Sequence, residues 1–223
     1  LAVSALLAGA CTLQPAAVKD ERLHVVAGQP TGYVVGSVGV VAKGDSRSGA
    51  ATNALGLRNI DTGADFELAY TINNMFEFSP TDIKDDKKKL AVYRLALPPG
   101  NYEIYRLRFF ENNGYVTATY QNEKNFSLPS TIQDGEEVYL GEALAAQIPG
   151  KKFLGIGFTP AVGYRFDFAD RRDRDFPVIQ ARFPEFTSGK ARTFVPARAI
   201  ILDPPNLVIV PADAPVSPAG PGQ

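Results

Sequence analysis

The sequence predicts a mostly-β fold, an antiparallel β-sandwich of about seven to nine strands with one short C-terminal helix. Three observations lead there. Nine tyrosines and fourteen phenylalanines stand against one methionine and no tryptophan, and aromatic and β-branched runs favour strands. Twenty glycines and seventeen prolines punctuate those runs as tight turns do. No window carries the long 3.6-residue apolar period of an extended amphipathic helix. The chain has 223 residues, 45% hydrophobic and 21% charged, which is globular usage with length enough for a core of its own. A net charge of −1 argues against nucleic acid, which needs a clustered excess of Lys and Arg.

Taken in order, residues 1–10 are small or apolar and run straight into Cys11, the only cysteine. Ten residues fall short of the about 20 that span a bilayer, and an apolar run closing on small residues is how a signal peptide ends. Residues 12–29 are polar and Ala-rich, as expected of a tether. Thr31 to Val41, TGYVVGSVGVV, is the first strong strand. It is apolar on both alternating sets, so both faces are expected to be covered, and Gly36 and Gly39 point to close backbone approach or a bulge. In LGLRNIDTGADFELAYTI, Phe66, Leu68, Tyr70 and Ile72 alternate with Glu67, Ala69 and Thr71, which marks a hairpin. An even loop around Thr62-Gly63 opposes Leu57 to Leu68 and Leu55 to Tyr70, whereas an odd loop sets Leu57 against Glu67. The even loop is the expectation.

Ser79 to Lys89 is a charged stretch, expected to be a solvated loop. Pro98-Pro99-Gly100-Asn101 fits a type II turn with positive φ at Gly100. Around Tyr102 to Phe110 the apolar phase switches, so either a bulge sits there or both faces are covered. Later strands are expected at residues 125–128, 137–141, 153–158 and 163–168. The helix is expected at 175–183, with Asp175 as N-cap and Pro177 in the first turn. Residues 30–202 would then form the sandwich. From Asp203 six prolines occur in 21 residues, an extended tail in which Leu207 to Val210 could add an edge strand.

The stretch Leu7-Ala8-Gly9-Ala10-Cys11 resembles the lipobox of bacterial lipoproteins. The resemblance implies that residues 1–10 are a signal-peptide remnant, that the sequence starts inside the signal, and that Cys11 is acylated with palmitate-like chains. Each buried methylene contributes ~0.8 kcal/mol, so two or more chains anchor stably. Ala8 departs from the Leu that lipoboxes prefer three residues before the cysteine. Thr12 in place of Asp implies, for enterobacterial lipoproteins, sorting to the outer membrane. A lipidated Cys11 leaves no thiol for catalysis, a disulfide or a metal.

The runs LALPPGNYEIYRLRF and FSLPSTIQDGEEVYLGEA are similar to the prealbumin-like (transthyretin- or carboxypeptidase-regulatory-like) β-sandwich, through Pro99, Gly100, Tyr102 and Ile104, then Gly135, Tyr139, Leu140 and Gly141. Residues 174–184, RDFPVIQARFP, are similar to a segment that follows this domain in proteobacterial outer-membrane lipoproteins. The resemblance spans about residues 30–185 and implies a fold, with no activity or cofactor attached.

Asp61-Thr62-Gly63-Ala64 resembles the loop of retroviral-type aspartic proteases, but that chemistry needs two carboxylates sharing a proton and the sequence holds no second such loop; turn chemistry accounts for it. Asp167, Asp170 and Asp173 could supply oxygen ligands for calcium, although Arg171, Arg172 and Arg174 interleave with them and favour a salt-bridged corner. His24, the only histidine, cannot build a triad or a three-His zinc site. Tyr102, Tyr105, Tyr115 and Tyr120 would bind glycan or a partner if they form an exposed strip, and otherwise belong to core packing. No metal or cofactor is expected. The function expected is a non-catalytic, lipid-anchored binding or assembly module of the cell envelope, partnered by the membrane and by another envelope protein or a glycan. A small-ligand or glycan domain is the alternative, and a concealed hydrolase the more remote one.

Overall fold

Alternation sorts each long strand onto two faces, and the faces define three layers. The computed structural model describes residues 16–17, 19–41, 50–73, 80–85, 87–112, 117–122, 126–149, 161–196, 198–203 and 206–211. The first sheet runs β1 (Ala16–Ala17), β4 (Asp65–Asn73), β3 (Ala50–Asn59), β7 (Gly100–Asn112), β8 (Thr117–Gln121), with β9 (Leu128–Ile132) also on β7. The second runs β14 (Asn206–Pro211), β13 (Arg198–Asp203), β11 (Ala161–Ala169), β10 (Glu137–Pro149), β2 (Gly32–Val41), β6 (Lys88–Leu97), β5 (Ile83–Lys84), with β12 (Ala191–Thr193) also on β10. Between the sheets lies the main core. Leu55, Leu57, Phe66, Leu68, Ile104 and Leu107 come from one side, and Val34, Val38, Tyr93, Leu95, Phe166 and Phe168 from the other. The helix α1 (Arg172–Arg182) covers the outer face of the second sheet, where Val35, Val92 and Tyr139 meet Ile179 and Phe186.

The fold is the mostly-β sandwich with one short helix that composition predicts. β2 is covered on both faces as expected, Val34, Val38 and Val40 toward the main core and Val35 toward the helix layer. Its glycines are sites of close approach: a Cβ on Gly36 would lie 2.6 Å from the Tyr93 hydroxyl, and one on Gly39 would lie 2.2 Å from the Lys89 carbonyl. Strands outnumber the expectation, in part because two long ones fork. The free edge of β7 takes β9 at residues 100–104 and β8 at 108–112. That of β10 takes β12 at 137–139 and β11 from 142 onward. Pairing is not wholly antiparallel either, since β10 runs parallel to both β2 and β12.

Several local expectations are corrected. The hairpin keeps its even parity but sits two residues away, with Leu55 opposite Leu68 and Leu57 opposite Phe66. Asn59 sets this register. Its Oδ1 accepts from the N–H groups of Asp61 (3.0 Å) and Thr62 (2.9 Å), and Gly63 returns the chain at φ 68°. Pro98-Pro99 is a crossover between sheets rather than a hairpin turn, because β6 and β7 belong to different layers. Gly100 does not adopt the left-handed conformation; a Cβ there would lie 2.8 Å from Asn59 Nδ2. The phase switch is a bulge: β3 shifts register between Gly56, opposite Arg106, and Leu57, opposite Ile104. Tyr105 is the extra residue, so both it and Arg106 face outward.

The strand expected at 125–128 begins at Leu128 instead, residue 125 lying outside the described residues together with 153–158. Cys11 and Tyr115 also fall outside them. The tether segment is partly docked: β1 pairs with β4, and Leu23 is buried in the main core. Leu207 to Val210 do add an edge strand, β14.

Candidate functional site

The helix begins at Arg172, three residues before the expected start, and Asp175 is not its cap. Asp175 is instead fully buried beneath the first turns, facing the sheet. Its Oδ2 accepts from Ser37 Oγ on β2 (2.8 Å) and from the Tyr139 hydroxyl on β10 (2.7 Å). Its Oδ1 accepts from Arg174 Nε (2.8 Å). Arg174 reaches on to Glu142 Oε2 (2.7 Å), a carboxyl group likewise buried, which Lys88 approaches at 3.5 Å. The Tyr139 hydroxyl also accepts the N–H of Arg171 (3.2 Å).

A buried carboxylate survives only where hydrogen bonds and opposite charge replace water, and here three strands and the helix supply them. Acidic residues in the first turn also suit the helix dipole. Burial first, then the Asp175 charge, pushes the Tyr139 hydroxyl far above the usual tyrosine range, so it remains a donor. Burial opposes the charge on Arg174, but its bonds to Glu142 and Asp175 outweigh that and raise it.

Two further clamps complete the attachment. Arg182, in the last turn, pairs with Asp82, whose Oδ2 accepts the N–H of Val92 (2.8 Å) on β6. Part of the charged stretch expected to be solvated is therefore structural. Arg94 pairs with the buried Glu137 (2.8 Å) and with Glu185 (3.0 Å), its guanidinium 3.6 Å above the Tyr33 ring.

Along the solvent side of this fixed helix runs an open groove of about 640 Å³, lined by Arg172, Asp173, Phe176, Pro177, Gln180 and Ser188. The helical residues share one face by their spacing. Phe176 is held edge-on against Tyr139 and Phe186, at 5.2 Å between ring centroids in each case. The groove thus offers two apolar residues, Phe176 and Pro177, with a guanidinium, a carboxyl, an amide and a hydroxyl, along a helix tied to the sheet.

Of the tyrosines that could form a strip, Tyr102, Tyr105 and Tyr120 fall in three different settings. Tyr102 is buried in the main core, its hydroxyl donating to the Pro98 carbonyl (2.8 Å). Tyr105 lies on the outer face of the first sheet between the guanidinium groups of Arg58 (4.7 Å) and Arg106 (5.3 Å), and donates to Asp65. Tyr120 tilts against Tyr164, with centroids 4.4 Å apart. The bulge and the core account for the aromatic density.

Asp167, Asp170 and Asp173, which could have supplied calcium ligands, do not converge. Asp167 pairs with Arg165, Asp170 pairs with Arg172 (2.8 Å), and Asp173 lines the groove. Among the described residues no group of three His, Cys, Asp or Glu is placed to hold a metal ion. Asp61 is exposed at the hairpin tip, where its carboxyl accepts from the Asn101 side chain (3.3 Å). His24 follows the 3-10 turn Glu21–Leu23 at the surface.

Neither a family model nor a curated protein matches the sequence. Among solved structures, a leucine-rich repeat protein from Bacteroides thetaiotaomicron VPI-5482 is similar over 52% of this chain and 14% of that chain, at 13% identity and a TM-score of 0.31. A "Putative cell adhesion protein" from Parabacteroides distasonis ATCC 8503 is similar over 59% of this chain and 38% of that chain, at 10% identity and a TM-score of 0.26.

Proposed function

We propose that this chain is a non-catalytic, lipid-anchored binding or assembly module of the bacterial outer membrane, and that the groove along α1 receives a segment of another envelope protein. The observation that carries the reading is the groove itself: an open concavity with mixed lining, on a helix fixed to the sheet by a buried ionic cluster. Preorganisation of this kind lowers the ordering cost of association. A protein segment is favoured over glycan because Tyr102 is in the core and two guanidinium groups flank Tyr105. The prealbumin-like identity of the sandwich, supported by the Gly135 turn that leads into Tyr139 on β10, belongs to the same proposal.

The anchor rests on the apolar run ending at Cys11. In cells fed a clickable palmitate analogue, the full chain is expected to take label and to sediment with membranes, and Cys11→Ser is expected to lose both. An unlabelled Cys11→Ser chain that still sediments would refute the anchor. Crosslinking the anchored chain should then capture one envelope protein, and Arg172→Glu with Gln180→Arg should abolish that capture while leaving the melting temperature unchanged. Capture that survives both changes would remove the groove from the proposal.

A further inference from the structure

Among the strands that end the two sheets, β14 is the longest. An edge strand offers unpaired N–H and C=O groups to any other strand, and proteins blunt such edges with short length, charge or proline. β1 and β5 are two residues long, and β5 carries Lys84. β12 has three residues with Arg192 at its centre. β8 is the polar TATYQ, and β9 contains Pro129. β14 is longer and carries no charge, and its one proline, Pro211, stands at its last position. It is the six-residue NLVIVP, uncharged, with three consecutive β-branched residues, and all six positions pair with β13 on one side. Among the described residues nothing pairs with its other side.

Residues 212–223 are poorly suited to supply the missing strand, since Pro215, Pro218 and Pro221 put a residue without an N–H at every third place. A second copy of β14 is suited to it. We infer that two copies of this chain associate edge to edge through antiparallel pairing of Asn206–Val210, about a two-fold axis at Val208, which lies opposite its own copy. The pairing is isologous and closes on itself. Pro205 and Pro211 bound the ladder at both ends, so the paired lengths match by identity. The second sheet then continues from one copy into the other. The inference goes beyond the groove and does not rest on it: an empty groove would leave the pairing intact, and the reverse.

Register indicates where to test it. Ile200 lies opposite Phe166 and Ile209 opposite Ile200, so Val208 and Val210 occupy the alternate positions, out of register with the main-core residues of β11. The full chain in detergent is expected to have the mass of a dimer by light scattering. Its 207–210 amides should exchange more slowly as protein concentration rises. Val208→Lys and Val208→Glu, each bringing like charges together across the axis, should each weaken dimerisation about tenfold or more. Mixing the two variants should restore the dimer, which a merely misfolded variant could not do. A wild-type monomer at every concentration would overturn the inference, whether its 207–210 amides are open or protected. So would a dimer that both single variants retain.

Discussion

Asn59 and Asp61 both sit in the DTG loop, and only one of them holds it. Asn59 is buried and its side-chain oxygen accepts two backbone N–H groups, while its own N–H donates to the Ala64 carbonyl (2.8 Å). Asp61 is exposed, with its carboxyl 3.3 Å from the Asn101 amide nitrogen. Asn59→Ala is therefore expected to lose about 1–2 kcal/mol, because two part-buried backbone hydrogen bonds lose their acceptor. Asp61→Ala should lose less than about 0.5 kcal/mol, as exposed substitutions do. Urea titrations of the two variants check this, and equal losses would contradict it. Asp-Thr-Gly was legible as a turn. Which side chain accepts was not, because Asx-type bonds from 59 and from 61 both suit such a loop, and burial alone separates them. Asn53 shows the same limit. Its amide reaches across the sandwich to the carbonyls of Gly39 (2.8 Å) and Ala143 (3.1 Å), a tie that no local pattern announces.

At the scale of elements, α1 shows where pattern reading succeeds and where it stops. Asp175 and Pro177 point to a helix here, and a helix forms, starting at Arg172. Asp favours caps, yet the sheet draws Asp175 inward, because Ser37 and Tyr139 on β2 and β10 offer donors there. That pairing spans 138 residues of sequence for Ser37, beyond any local window. Asp175→Ala is expected to cost about 3–5 kcal/mol, as when one member of a buried ionic cluster is removed. Asp173→Ala, on the exposed face of the same turn, should be within about 0.5 kcal/mol of wild type. The midpoint of chemical denaturation, with helix content by circular dichroism, measures both. A small loss in Asp175→Ala would mean that the cluster does not hold the helix. The bulge at Tyr105 was more legible, since a switch of apolar phase inside one strand leaves few alternatives.

For the whole molecule, two packed sheets followed from composition and alternation, whereas the parallel contact of β2 with β10 did not: strands covered on both faces read alike in either direction. Charge at this scale gives the response to acid. Asp85, Glu103, Glu136 and Asp170 are held below the usual carboxylate range, and Asp20 is held at about 2 by the Arg22 side chain. Glu137 and Asp167 are pushed up by burial, which Arg94 and Arg165 only partly offset. A carboxyl with a lowered folded value contributes stability above its unfolded value and loses it as pH falls through the folded one; a raised carboxyl contributes the opposite slope. The lowered groups predominate, so the melting temperature should be nearly flat from neutral pH to about 5 and fall steeply below about 4. Protonation also leaves the repulsion among 23 Lys and Arg unopposed. The neighbours Glu136 and Glu137 separate the two slopes. Burial pushes Glu136 up as well, but the Arg192 side chain and the Gln133 N–H outweigh it. Glu136→Gln should therefore flatten the acid limb, and added salt should mimic it by screening an exposed pair. Glu137→Gln should steepen the limb, while lowering stability at neutral pH by leaving Arg94 without its buried partner. Melting curves from pH 3 to 7 for the three proteins decide the matter: parallel acid limbs would show that these two carboxyls do not carry the response.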